Sequence, residues 1–241
     1  MAGLIDIKLD TAPLAGFVDR YARRVRYATY TTLNRTAVQV RQDEQEEMRR
    51  VLDRPTPYTL NSIGIDYANR DNLVAKVRFK DGLGNKNRCA ERWVGLQARG
   101  GRRGMKASEG VLSRNVLGGR QVYLVPTKYA PLDAYGNVSR GAIVKILSSI
   151  RALGENSRST TRKSRGGRRA EEYFAVYDKR PGLPPGIYRR LRTAFGNGVL
   201  PIFFFARQAP NYSTRFDFDG VARRSVQEHL QANWAAVLAE P

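Results

Sequence analysis

The sequence predicts an α+β fold: a long N-terminal helix, a mixed or antiparallel β-sheet, a C-terminal amphipathic helix, and long basic loops. Three observations carry this. Apolar residues recur at helical spacing over 10–53, strand-like segments fill 58–206, and helical spacing returns over 217–239. The order helix, strands, helix, strands, helix lacks the regular βαβ alternation of a doubly wound sheet. With 241 residues, 41% of them hydrophobic, the chain is long enough to bury a core and reads as a single domain over 1–241.

The first helix is marked by Leu14, Val18, Tyr21, Val25, Ala28, Leu33, Ala37, Val40, Met48 and Val51, mostly three or four residues apart. Asp10 or Thr11 suits the N-cap, and Pro13 falls in the first turn, where a missing N–H costs nothing. Arg54-Pro55-Thr56-Pro57 ends the helix, because each proline removes a donor and restricts its predecessor. Some 40 helical residues span ~60 Å, so the helix either kinks near Tyr30 or projects towards another subunit. Its charge is segregated. Arginines at 20, 23, 24, 26, 35 and 41 precede the block Asp43-Glu44-Gln45-Glu46-Glu47. Acids late in a helix oppose its dipole, so they are not there to stabilise it. Two readings stay open: a solvated face, or pairing with a neighbouring copy through Arg20, Arg24, Glu44 and Glu47.

Ser62–Tyr67 and Leu73–Phe79 alternate as strands around an Asn69–Asn72 turn. Gln121–Val125, Tyr173–Tyr177, Gly186–Arg192 and Val199–Ala206 are further strands, with Gly196-Asn197-Gly198 as a hairpin turn. Ile202-Phe203-Phe204-Phe205 is apolar on both faces, which predicts a central strand covered on both sides. Within the 58–206 region, 139–153 reads as an inserted helix stopped by Gly154. Two segments, 86–118 and 155–170, read as flexible basic loops. The second has no apolar periodicity, so deleting 157–169 is expected to leave the fold intact.

Lysine and arginine outnumber aspartate and glutamate 42 to 22, a formal net charge of +20. A chain so charged needs a polyanion or an acidic surface to compensate it, and arginine suits phosphate and carboxylate. The phosphate-facing candidates are Arg99, Arg102 and Arg103, beside glycines able to form an anion nest, and Arg158, Arg162, Lys163, Arg165, Arg168 and Arg169. The 155–170 run has no interleaved aromatics and the chain no base-reading signature, which predicts backbone contact alone.

Metal and thiol chemistry are not expected. Cys89 and His229 are the only residues of their kinds, too few for a zinc site, and no cofactor is expected. A serine triad would have to use His229, which reads as a packing or surface residue of the last helix. Asp217 and Asp219 read as helix-capping groups rather than magnesium ligands, and no phosphate-loop motif occurs. No catalytic residue is assigned. One cysteine permits no internal disulfide, MAGLIDIKLD does not read as a secretory signal, and Val199–Ala206 is too short to span a bilayer.

Leu33-Asn34-Arg35-Thr36-Ala37, followed by the proline break and Tyr58-Thr59-Leu60-Asn61-Ser62-Ile63, resembles minor tail and tail-completion proteins of tailed phages, in particular the minor tail protein Z-like group. The stretches Leu132–Gly141 and Leu183–Arg190, the latter ahead of Pro201-Ile202-Phe203, are similar to segments of phage virion proteins. The first of these adds Tyr135 and Asn137 as interface candidates. The resemblance implies a structural virion protein, assembled in the host cytoplasm. It would form a homo-oligomeric ring at the head–tail joint or tail end, contacting neck, portal or tail proteins around double-stranded DNA. It implies no active site. The alternative is a non-specific nucleic-acid-binding protein using basic loops on the phosphate backbone.

Overall fold

The computed structural model describes residues 12–80, 89–150, 152, 173–193 and 196–240, with backbone alone at 12–15 and 192–193. In chain order the elements are α1 (Ala12–Val51), α2 (Pro57–Leu60), β1 (Ile63–Asp66), β2 (Lys76–Phe79), a 3-10 turn (Ala90–Arg92), α3 (Gly95–Arg99), β3 (Gly101–Arg102) and α4 (Ala107–Asn115). There follow β4 (Tyr123–Pro126), α5 (Arg140–Ser149), β5 (Tyr173–Val176), β6 (Gly186–Thr193), β7 (Gly196–Ala206), β8 (Asn211–Tyr212) and α6 (Phe218–Ala239). The class is α+β. The elements gather into two compact units.

The first unit holds α1, β1, β2 and α6, within 1–51, 60–80 and 216–241. Its core stripe on α1 is Ala28, Thr32, Thr36, Val40, Glu44 and Met48, four residues apart, with Ala37 beside Thr36; it meets α6 and the hairpin. The apolar period predicted from the sequence starts earlier, and two of its early members, Val18 and Tyr21, are exposed. Two polar anchors fix the partners of α1. Asn34 grips the chain after β1, donating to Ala68 O at 3.0 Å and accepting from Ala68 N at 2.8 Å. Asn233 of α6 donates to Gln39 Oε1 at 2.6 Å and to Thr36 Oγ1 at 3.0 Å. The β1–β2 hairpin pairs Ile63 with Phe79 and Ile65 with Val77. The expected turn is present: Asn69 Oδ1 accepts from the backbone N–H groups of Asp71 and Asn72, an Asx turn. Phe79, Phe216 and Phe218 form an aromatic cluster, with centroids 4.7 Å apart for Phe79–Phe218. Phe216 is fully buried, worth about 2–3 kcal/mol by transfer. Asp217 caps α6 by accepting from Gly220 N, as the sequence predicts.

The second unit, within 52–59 and 81–215, holds the remaining elements, except that α2 ends on Leu60 of the first. Its main sheet is antiparallel, in the order β4-β7-β6-β5, with a register shift between Ile187 and Tyr188. Leu112 of α4 and Ile146 and Leu147 of α5 pack with Leu124, Tyr173, Ile187, Ile202 and Phe203 in one core. Ser139 caps α5 through Ala142 N.

Four expectations need correction. The 86–118 segment is not a flexible loop: from residue 89 on it holds the 3-10 turn, α3, β3 and α4, and it buries Val94, Leu112 and Leu117. Its glycines break the apolar period, which disguises short elements as irregular chain. Gly196-Asn197-Gly198 is not the turn, because Thr193 already pairs with Gly196 and the glycines begin β7. Phe204 is 38% exposed, so β7 is central in hydrogen bonding but not covered along both faces. The inserted helix ends at Ser149 rather than 153, and Gly154 lies outside the described residues.

Candidate interaction surfaces

The antiparallel packing of α1 on α6 gives two arginines of α1 partners at the end of α6. Arg24 Nη2 donates to the carbonyl oxygens of Leu238 (3.3 Å) and Glu240 (3.0 Å), at the C-terminal end of α6. Arg35 pairs with the Glu240 carboxylate at 2.8 Å. Further along α1, Asp43 Oδ2 lies 3.6 Å from His229 Nε2, in the middle of α6. Cations of α1 thus meet the negative end of the α6 dipole.

Glu44 is the exception within the acidic block of α1. Its side chain is 0% exposed, and neither carboxyl oxygen has a hydrogen-bond partner. Burial, reinforced by Glu47, Asp217, Asp219 and Asp43, raises its pKa from 4.5 to about 8, so it is neutral at pH 7. A subunit contact through Glu44 is therefore corrected, since the group is inside its own unit. Glu47 is held by Arg50, with Nη2 to Oε1 at 2.7 Å. Arg20 is exposed. Tyr135 and Asn137 lie in a tight loop in which Asp133 Oδ1 accepts from both their backbone N–H groups at 2.9 Å. Leu132 and Val138 bridge its base, and Gly136 takes φ 76°, a conformation that favours glycine. Both side chains are exposed.

The three arginines of the 99–103 stretch diverge. Arg99 is exposed and ion-paired to Glu91 on the preceding 3-10 turn. Arg102 on β3 is exposed. Arg103 is not a phosphate-facing residue: it is buried and holds the Glu109 carboxylate through both Nη1 (2.7 Å) and Nη2 (2.5 Å). Glu109 also accepts from Lys106 N at 2.7 Å and Leu124 N at 2.8 Å, so it ties α4 to β4. Burial alone raises the Glu109 pKa, but the bonds from Arg103, Lys106 and Leu124 outweigh it and hold the group below its usual range. The side chain alternation that sends Arg102 outward sends Arg103 inward. Arg158, Arg162, Lys163, Arg165, Arg168 and Arg169 lie outside the described residues.

An apolar groove of about 530 Å³ runs beside the α1–α6 contact, lined by Thr29, Thr32 and Leu33 of α1 and by Val226, Leu230 and Trp234 of α6, with Gln227 and Gln231. Sequence periodicity places Val226, Leu230 and Trp234 on the buried face of α6; in the fold Val226 and Leu230 are each 38% exposed. Sequence reasoning missed this surface because a stripe wide enough for two neighbours looks the same when only one is present. Among the described residues no group of three or more His, Cys, Asp or Glu is arranged to hold a metal, and no helix is long and apolar enough to cross a membrane. In comparisons with known proteins, the chain matches no family model, no curated protein and no solved structure.

Proposed function

We propose that this chain is a structural virion protein of a tailed phage, a ring-forming tail-completion or neck component that joins tail to head around the DNA path. The observation that carries the reading is the resemblance of Leu33–Ala37, Tyr58–Ile63, Leu132–Gly141 and Leu183–Arg190 to tail-completion and virion proteins. The positions of those residues support it. Asn34 and Thr36 join the hairpin and α6 to α1, and the 132–141 stretch presents Tyr135 and Asn137 on an ordered loop. A ring reuses one heterologous contact, and a DNA-lined lumen accepts exposed arginines such as Arg99 and Arg102 without base readout. The reading assigns no catalytic residue, metal or cofactor.

The test is negative-stain imaging of the purified full chain, with mass spectrometry of virions of the phage that encodes it. Closed rings and presence in the particle are expected. A strictly monomeric protein that is missing from virions and binds duplex DNA with steep salt dependence would instead favour the alternative, a non-specific nucleic-acid-binding protein. That alternative rests on the net charge of +20 and on exposed Arg99 and Arg102.

A further inference from the structure

Charge divides unequally between the two units. The second, 52–59 and 81–215, holds 27 of the 42 basic residues and 9 of the 22 acidic ones, a net +18, whereas the first holds 15 and 13, a net +2. The polyanion that the composition calls for is therefore a partner of the second unit. The strands of its main sheet carry three arginines, all on β6, and no aspartate or glutamate. Residues paired across an antiparallel ladder share a face, so the register sorts the sheet. Ile187 and Phe203, a pair, face the core that α4 and α5 cover. The opposite face carries Val125 with Phe204, Tyr188 with Phe174 and Pro201, and Arg190 with Val199. The register shift at Ile187/Tyr188 keeps Phe204, Pro201 and Val199 on that one side.

An antiparallel sheet with one face on a core ordinarily turns polar residues to water on the other. Here Val125, Phe204 and Val199 are 41%, 38% and 43% exposed. Beside them Tyr188 and Phe174 stack at 5.7 Å, and the Arg190 guanidinium lies 5.2 Å from the centre of the Phe174 ring. Tyr188 is buried and its hydroxyl donates to Pro184 O at 2.6 Å, so these rings are anchored and Arg190, itself exposed, is held in place by them. A duplex hides its bases and would offer this face only phosphates. A single strand offers phosphates to the arginine and flat π-faces to the phenylalanine. We propose that the outer face of the β4-β7-β6-β5 sheet binds single-stranded nucleic acid, with a base stacked on Phe204 and the backbone held by Arg190. Phe204 stands opposite Gly186, four residues along β6 from Arg190, about 13 Å, so one strand reaches both. The inference goes beyond the ring reading and does not depend on it.

The test is fluorescence anisotropy of the full chain with labelled oligothymidylate and oligouridylate of about 20 nucleotides, a duplex of the same length, and polyglutamate as a polyanion without bases. The single strands are expected to bind roughly tenfold tighter than the duplex, and the two arms separate DNA from RNA as the source. Phe204→Ala, with an unchanged far-UV circular dichroism spectrum, is expected to lose about tenfold in affinity at unchanged salt slope. Phe204→Trp should keep the affinity, and bound oligomer should quench its added fluorescence. Arg190→Ala is expected to lower the log–log salt slope by about 0.7. Arg223→Ala, exposed in the near-neutral first unit, is expected to change neither. Duplex bound as tightly as single strand, polyglutamate that competes equally, or affinity indifferent to Phe204 and Arg190 overturns the inference. So does a chain that binds no oligonucleotide. Rings that enter virions without single-strand affinity leave the ring reading and remove this one, and single-strand affinity in a strict monomer does the reverse.

Discussion

Glu44 and Glu109 are both carboxyl groups withdrawn from water, and their surroundings drive their ionisation in opposite directions. Glu44 has no hydrogen-bond partner and acidic neighbours, so its folded pKa of about 8 lies above the ordinary 4.5. Its contribution to stability is full below about 4.5 and is lost as pH rises through about 8, a difference on the order of 5 kcal/mol between the limits. Glu44→Gln is expected to flatten that loss: thermal melts of parent and variant should diverge from pH 6 to pH 9, with the variant more stable at the alkaline end. Glu109 has four donors and a depressed pKa, so its contribution is present at neutral pH and is lost as pH falls through the acid range. Glu109→Gln leaves the Arg103 guanidinium buried with its countercharge gone. It is expected to cost about 3–5 kcal/mol in urea denaturation at pH 7. Neither environment can be read from sequence. Arg103 and Glu109 are six apart on either side of a helix start, a spacing with no meaning until β4 brings Leu124 to the same carboxylate.

Among the elements, α1 was the most legible and also the one most reinterpreted. Its period marked Ala28, Ala37, Val40 and Met48 as buried, and they are; its end at Val51 follows from the prolines and from Arg54, at φ 48°. Its charge pattern stayed open between a solvated face and a neighbouring copy because the α6 carbonyls that Arg24 meets lie more than two hundred residues away. Asp217 at the start of α6 was recognisable as a cap from local chemistry alone. Asp217→Ala is expected to cost about 1 kcal/mol by chemical denaturation. Arg24→Ala is expected to cost about 0.5 kcal/mol, with most of that effect gone at high salt. The short elements of 89–118 were illegible for the opposite reason. Helices of five and nine residues give too few turns for a period to emerge, and their stability comes from Leu112 and Glu109 in the core of the second unit.

At the scale of the whole molecule, part of the positive excess is already committed. Arg103, Arg24, Arg35, Arg50 and Arg78 are all engaged by groups of their own unit. If duplex DNA is a partner, Arg102→Ala should lower the salt dependence of binding by about one unit of log–log slope and leave stability unchanged. Arg103→Ala should do the reverse, losing stability with little effect on the slope. Filter binding across a salt series, paired with denaturation, distinguishes them. Sequence by itself determined the α+β class, the order of the major elements, the Asn69 turn and the cap at Asp217, because each depends on residues a few positions apart. Only tertiary structure decided which arginines remain exposed, that Glu44 is buried, and which apolar faces stay bare. Those depend on distant partners, and an apolar or charged stripe reads the same in sequence whether or not a partner covers it.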